Sequence, residues 1–235
     1  MWYKILFLLV MVNSFYNGQS MTTVFAESNK VISKSKEANV ILYANDIDRK
    51  YGMYRDFEMK IDGGTRYFPY WVNVTNPSYA PRILYNDLNQ DKKKDLTIVL
   101  TKGYGTEALD SEVHVLNKTQ TNIGEIYEEV LVDNPIAIIL KNVKTKLTQH
   151  EAVVSIGDKK TVINIEKFQI PPDHLFNDVA FGSIVKFDVV DNHLVASVGG
   201  QITPAMFIGT IEISYEYKDK MYQAKKIEFK SEKIS

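Results

Sequence analysis

Residues Thr210–Phe229 read TIEISYEYKDKMYQAKKIEF. Ile211, Ile213, Tyr215 and Tyr217 alternate with Glu212, Ser214, Glu216 and Lys218. A period of two sends successive side chains to opposite faces of a strand, one toward a core and one toward water. Lys218-Asp219-Lys220 interrupts the run with turn residues, so the segment reads as a β-hairpin. Two more hairpins precede it. Ala152–Phe168 (AVVSIGDKKTVINIEKF) turns around Gly157-Asp158, and Gly182–Ile202 (GSIVKFDVVDNHLVASVGGQI) turns at Asp191-Asn192. Between them, IPPDHLFND (Ile170–Asp178) is a connection, because consecutive prolines cannot both pair in a ladder.

The first half of the chain carries the same signature less regularly. VILYA (Val40–Ala44) is the first apolar strand segment. YRDFEMKIDGGTRYFPYWVNV (Tyr54–Val74) is a hairpin around Asp62-Gly63-Gly64, residues that tolerate positive φ. RILY, LTIVLT and EVHVLN supply further strands, the last with Val113 and Val115 on one face and His114 on the other. NPIAIILKN has Asn134 as an N-cap and Pro135 at the first helical position, although its β-branched residues also suit a buried strand. The fold class expected is mainly β, as antiparallel hairpins or a meander closing into a sandwich or barrel. One short helix is expected near residues 135–142.

The N-terminus reads as a targeting segment. Lys4 precedes an apolar run, Ile5–Val12, far shorter than the roughly 20 residues a membrane helix needs. Val24 and Ala26 suit the −3 and −1 positions of a signal-peptidase site, so cleavage is expected after Ala26. The expected organisation is a signal peptide (1–26), a flexible leader (27–39), a β region with an acidic loop (40–145) and an antiparallel β-meander (146–235). Cleavage leaves 27 Lys and Arg against 29 Asp and Glu, a balance with no electrostatic footprint for nucleic acid. No later run reaches membrane-spanning length. The chain has no cysteine, so an exported form has no disulfides and depends on its core, with help from any metal.

The segment with chemical content is YNDLNQDKKKDLTIVL, Tyr85–Leu100. Asp87, Asn89, Asp91, Lys93 and Asp95 occupy positions 1, 3, 5, 7 and 9 of one loop. A hard dication takes six to eight oxygen ligands from carboxylates, amides, backbone carbonyls and water. Three carboxylates, one amide and the Lys93 carbonyl form a candidate Ca²⁺ set, with Mg²⁺ less suited because no phosphate partner is implied. The bland reading is a lysine-rich solvated turn whose Asp and Asn residues cap their own backbone.

This segment resembles the calcium loop of FG-GAP/VCBS-type repeats, D-x-D/N-x-D-G-x-x-D-L, matching at Asp87, Asn89, Asp91, Asp95 and Leu96. Lys92 stands where the family has glycine, and Lys92–Lys94 set three positive charges beside the loop. The resemblance covers about 25 residues in a single copy, so it implies one Ca²⁺ site and does not carry over the propeller fold or the adhesion function of such repeats. The whole chain also resembles small exported proteins of Gram-positive bacteria that carry one such loop, a likeness that implies no activity.

Other constellations are weaker. Tyr67, Tyr70 and Trp71 form a candidate aromatic platform for sugar or peptide, against the commoner role of core filling. KGYGTE lacks the ending of a phosphate loop, and His114, His150, His174 and His193 have no zinc-site spacing. Asp173-His174 is an adjacent pair in the proline loop. Asn73 and Asn117 begin glycosylation triplets. No catalytic residue is identified. The expected function is a secreted calcium-binding β module whose partner is a cell-wall polymer or a protein. The alternatives are a secreted hydrolase with two facing acids distant in sequence, or a structural protein of a cell wall or spore layer.

Overall fold

The computed structural model describes residues 30–122 and 124–232; the expected signal peptide lies outside them. A five-stranded sheet comes first, from β1 (Lys30–Ser35), β2 (Val40–Asp48), β3 (Met53–Ile61), β4 (Gly64–Phe68) and β5 (Asn73–Val74). Its order is β1-β2-β3-β4, with β5 pairing β3. The expected hairpin closes at Ile61↔Gly64, with Asp62 and Gly63 both at positive φ. Lys30–Ser35, expected within a flexible leader, is instead an edge strand. Its polar sequence hid it, because it is held by backbone pairing to β2 and by Ile32 against the core.

The next strands are β6 (Arg82–Asn86), β7 (Asp95–Gly105), β8 (Ala108–Thr121) and β9 (Gly124–Val130), followed by helix α1 (Pro135–Asn142). The Asn134 side chain accepts from the Ile136 and Ala137 amides, so the expected cap starts the helix. Then β10 (Val143–Leu147), β11 (Glu151–Ile156) and β12 (Lys159–Asn164) form a small antiparallel sheet. The chain ends in β13 (Ala180–Val190), β14 (His193–Thr203), β15 (Met206–Lys218) and β16 (Met221–Ser231).

β16-β15-β14-β13-β8-β7-β6 form one large sheet, with β9 on β8. β13 meets β8 in parallel at Ile184↔Leu109 and Val185↔Asp110. Beyond β9, Val132 bridges Tyr222 of β16, with the Asp133 amide donating to the Tyr222 carbonyl. The sheet therefore curls, and its far edge touches the segment leaving β9. Strands from both sides of residue 145 share this sheet, so the expected division at 145/146 does not follow it.

β7 explains the apolar run. Leu96, Ile98 and Leu100 enter a core shared with the five-stranded sheet, while Val99 enters a second core inside the curl. A strand covered on both faces reads as continuously apolar. The acidic loop is attached directly to this buried strand.

Candidate functional site

Asn86 pairs with Asp95, so residues 87–94 form the tip of the β6–β7 hairpin. Asp95 is fully buried, and its carboxylate organises the tip. Oδ2 accepts from the Leu88 amide at 3.0 Å and the Asn89 amide at 3.2 Å; Oδ1 accepts from the Lys118 amide of β8 at 3.0 Å. Asp95 thus fixes the loop to the neighbouring strand, and only Oδ1 keeps a lone pair for another partner. Leu88, 5% exposed, anchors the tip in the core below.

The alternate acids close a chain of backbone turns. Asp87 Oδ2 accepts from the Lys92 amide at 3.0 Å, Asn89 Oδ1 from Asp91 at 3.0 Å, and Asp91 Oδ1 from Lys93 at 2.8 Å. One oxygen of each side chain thus faces the backbone. Asp87 Oδ1 is buried without a hydrogen-bond partner, an uncommon state for a carboxylate oxygen. Lys92 has φ +72°, so the position where the repeat pattern has glycine does adopt the left-handed conformation.

Two of the three lysines are turned away from the acids. Lys93 Nζ pairs with Glu125 at 2.9 Å, and Lys94 Nζ pairs with Glu37 and lies over the Tyr85 ring. Glu125 also meets Lys118 at 3.1 Å, and these two lysines hold its carboxyl below the usual range. Burial pushes the Asp95 carboxyl up; its three amide donors oppose this, and the charge of Asp91 adds to it. Among the described residues, no three His, Asp or Glu side chains are grouped in the arrangement of a preformed metal site. A dication would have to draw the loop oxygens together.

The aromatic platform is not assembled. Trp71 is 4% exposed and stacks on Phe68 at 3.8 Å and on His114 at 4.3 Å, with Phe57 edge-on. Tyr67 and Tyr70 remain exposed, at 65% and 91%. β4 ends at Phe68, and the Trp71 amide then donates to the Phe68 carbonyl across a turn. That turn breaks the alternation that would have placed Trp71 beside Tyr67. Trp71, the sole tryptophan after residue 26, is therefore expected to emit at short wavelength and resist iodide quenching. Red-shifted, readily quenched emission would contradict this packing.

The remaining candidates are dispersed. His114 meets Glu129 at 2.8 Å, His150 meets Glu166 at 3.4 Å, and His193 contacts its own turn through the Asp191 carbonyl. Asp173-His174 lies in a one-turn 3₁₀ segment, Pro172–His174. Asn73 is fully buried, accepts from the Thr101 amide and donates to the Val74 and Tyr79 carbonyls. Asn117 is 2% exposed and accepts from the Tyr222 hydroxyl. Neither side chain is available for glycosylation in the folded chain.

Comparison with protein-family models, curated proteins and solved structures finds no match to this chain.

Proposed function

We propose that the chain is an exported calcium-binding β protein serving as a binding or cell-envelope-associated module. Export rests on Lys4, the apolar run Ile5–Val12 and the Val24/Ala26 cleavage pattern. Calcium binding rests on one observation above the rest: the buried, unpartnered Asp87 Oδ1 in a loop whose Asn89 and Asp91 are already turned by backbone amides. The ion would take Asp87, Asn89, Asp91, the Lys93 carbonyl and the free lone pair on Asp95 Oδ1. Mg²⁺ suits this set less well, because it retains its water and demands strict octahedral geometry.

Calcium titration tests the reading. At about 100 times the dissociation constant, a ligand specific for the folded state adds about 2.7 kcal/mol. For a chain of this size, that raises Tm by ~5–10 °C. Asp91→Asn keeps the oxygen that accepts from Lys93 but removes a charge. In EDTA it is expected to leave Tm unchanged or slightly raised, because Asp91 pushes the buried Asp95 carboxyl up. In calcium it is expected to lose most of the rise. A Tm insensitive to millimolar calcium would reject the proposal.

A further inference from the structure

Among the described residues, β4 is the last strand of its sheet and β9 pairs with no strand but β8. Each therefore has a backbone edge that no described strand covers, and both line one open cleft of about 800 Å³. An unpaired edge is a template for a further strand, and natural proteins usually blunt it with charge. β9, GEIYEEV, contains Glu125, Glu128 and Glu129 and no basic residue. Asp62 adds a further acid to the lining. Two copies of this edge would set like charges opposite one another, which disfavours self-pairing.

The same edge recruits cations: Glu125 already pairs with Lys93 and Lys118, and Asp62 lies 4.0 Å from Lys118. Glu129 shares a hydrogen bond with the His114 ring. Arg66 of β4 crosses the cleft and donates from its guanidinium to the Tyr127 carbonyl of β9. A basic group supplied by the chain itself thus satisfies a backbone acceptor that a neighbouring strand would otherwise meet. Ile126, 41% exposed, adds an apolar contact on the same strand.

We propose that the cleft between β4 and β9 takes an extended basic segment of a partner protein, added as a strand along the free edge of β9. Backbone pairing supplies affinity, and lysine or arginine at alternate positions supplies selectivity for the acidic edge. Arg66 is the contact that the incoming strand displaces from the Tyr127 carbonyl. The proposal does not require calcium, so it is tested in EDTA.

The probe is a fluorescein-labelled peptide alternating lysine and valine, seven residues long to match β9. It is expected to bind at low salt. N-methylation of alternate amides, which removes ladder donors but keeps every charge, is expected to weaken binding by at least about tenfold. Glu128→Lys, an exposed change, is expected to weaken it comparably at unchanged Tm. Equal binding of the methylated peptide would reduce the edge to a diffuse acidic surface and overturn strand addition. Absence of binding at millimolar peptide, or a dimer in sedimentation that Glu128→Lys dissociates, would also overturn it.

Discussion

Asp95→Ala is expected to destabilise the fold by about 3–6 kcal/mol, read as a lowered urea midpoint. The Asp95 carboxylate is fully buried and accepts from the amides of Leu88, Asn89 and Lys118. Hydrogen bonds to a charged acceptor contribute about 1.5–3 kcal/mol each, and a buried donor left unpaired costs about 1–3 kcal/mol. Three donors lose their acceptor together, so the sum is sub-additive but large. Asp95→Asn is expected to fall between. Its oxygen can serve Leu88 and Asn89, whereas its NH₂ would face the Lys118 amide, donor against donor. An Asp95→Ala protein as stable as wild type would mean that this carboxylate does not organise the loop.

The charge of Asp95 gives this prediction a pH dependence. A carboxyl whose folded pKa lies above its unfolded value stabilises the fold most when protonated. That contribution is full below the ordinary carboxylate range and is lost as pH rises through the raised value. Burial raises Asp95 in this sense. Calcium-free wild type should therefore lose this increment of stability on raising the pH from about 4, and Asp95→Asn should lack the slope. Calcium beside the loop would favour the ionised form and flatten the same slope.

Local chemistry made the hairpins legible. Asp62-Gly63, Gly157-Asp158 and Asp191-Asn192 mark turns where residues tolerating positive φ interrupt alternating strands. The last turn narrows to Asp219-Lys220, with Lys218 paired to Met221. The capped helix from Pro135 was legible for the same reason. The strand β1 was not, because KVISKS has no clear alternation and its pairing is through backbone atoms. The parallel contact of β8 with β13 joins Leu109 to Ile184, a separation over which periodicity carries no information.

The loop divides similarly. Spacing singled out Asp87, Asn89, Asp91 and Asp95, and they lie together at one hairpin tip, with Lys92 at positive φ. It did not distinguish Asp95 as the organiser, because one of its donors, Lys118, belongs to β8. The destinations of the lysines were hidden as well. Glu37 and Glu125 lie far from the loop in sequence, yet they are what turn Lys94 and Lys93 aside.

Gly209→Ala is the second substitution expected to cost heavily, on the order of 3–5 kcal/mol, and it tests the curl of the large sheet. Gly209 of β15 pairs with Gly200 of β14 and Ser231 of β16, next to a register shift at Gly200/Gln201. A Cβ there would lie 2.4 Å from the Lys230 carbonyl oxygen and 2.6 Å from the Phe229 ring. The nearest atom is backbone of the paired strand, so relief requires β16 to move. Overpacking of this kind costs about 1–3 kcal/mol. The φ of +155° adds backbone strain of about 1–3 kcal/mol for a residue with a side chain. Gly157→Ala provides the control, because φ is +54° at a turn with no atom within 4 Å of its Cβ. It should cost only the conformational penalty, about 1–2 kcal/mol. Equal midpoints for the two variants would mean that β15 and β16 do not approach this closely at Gly209, and the packing of Phe229 beneath the curl would fall with it.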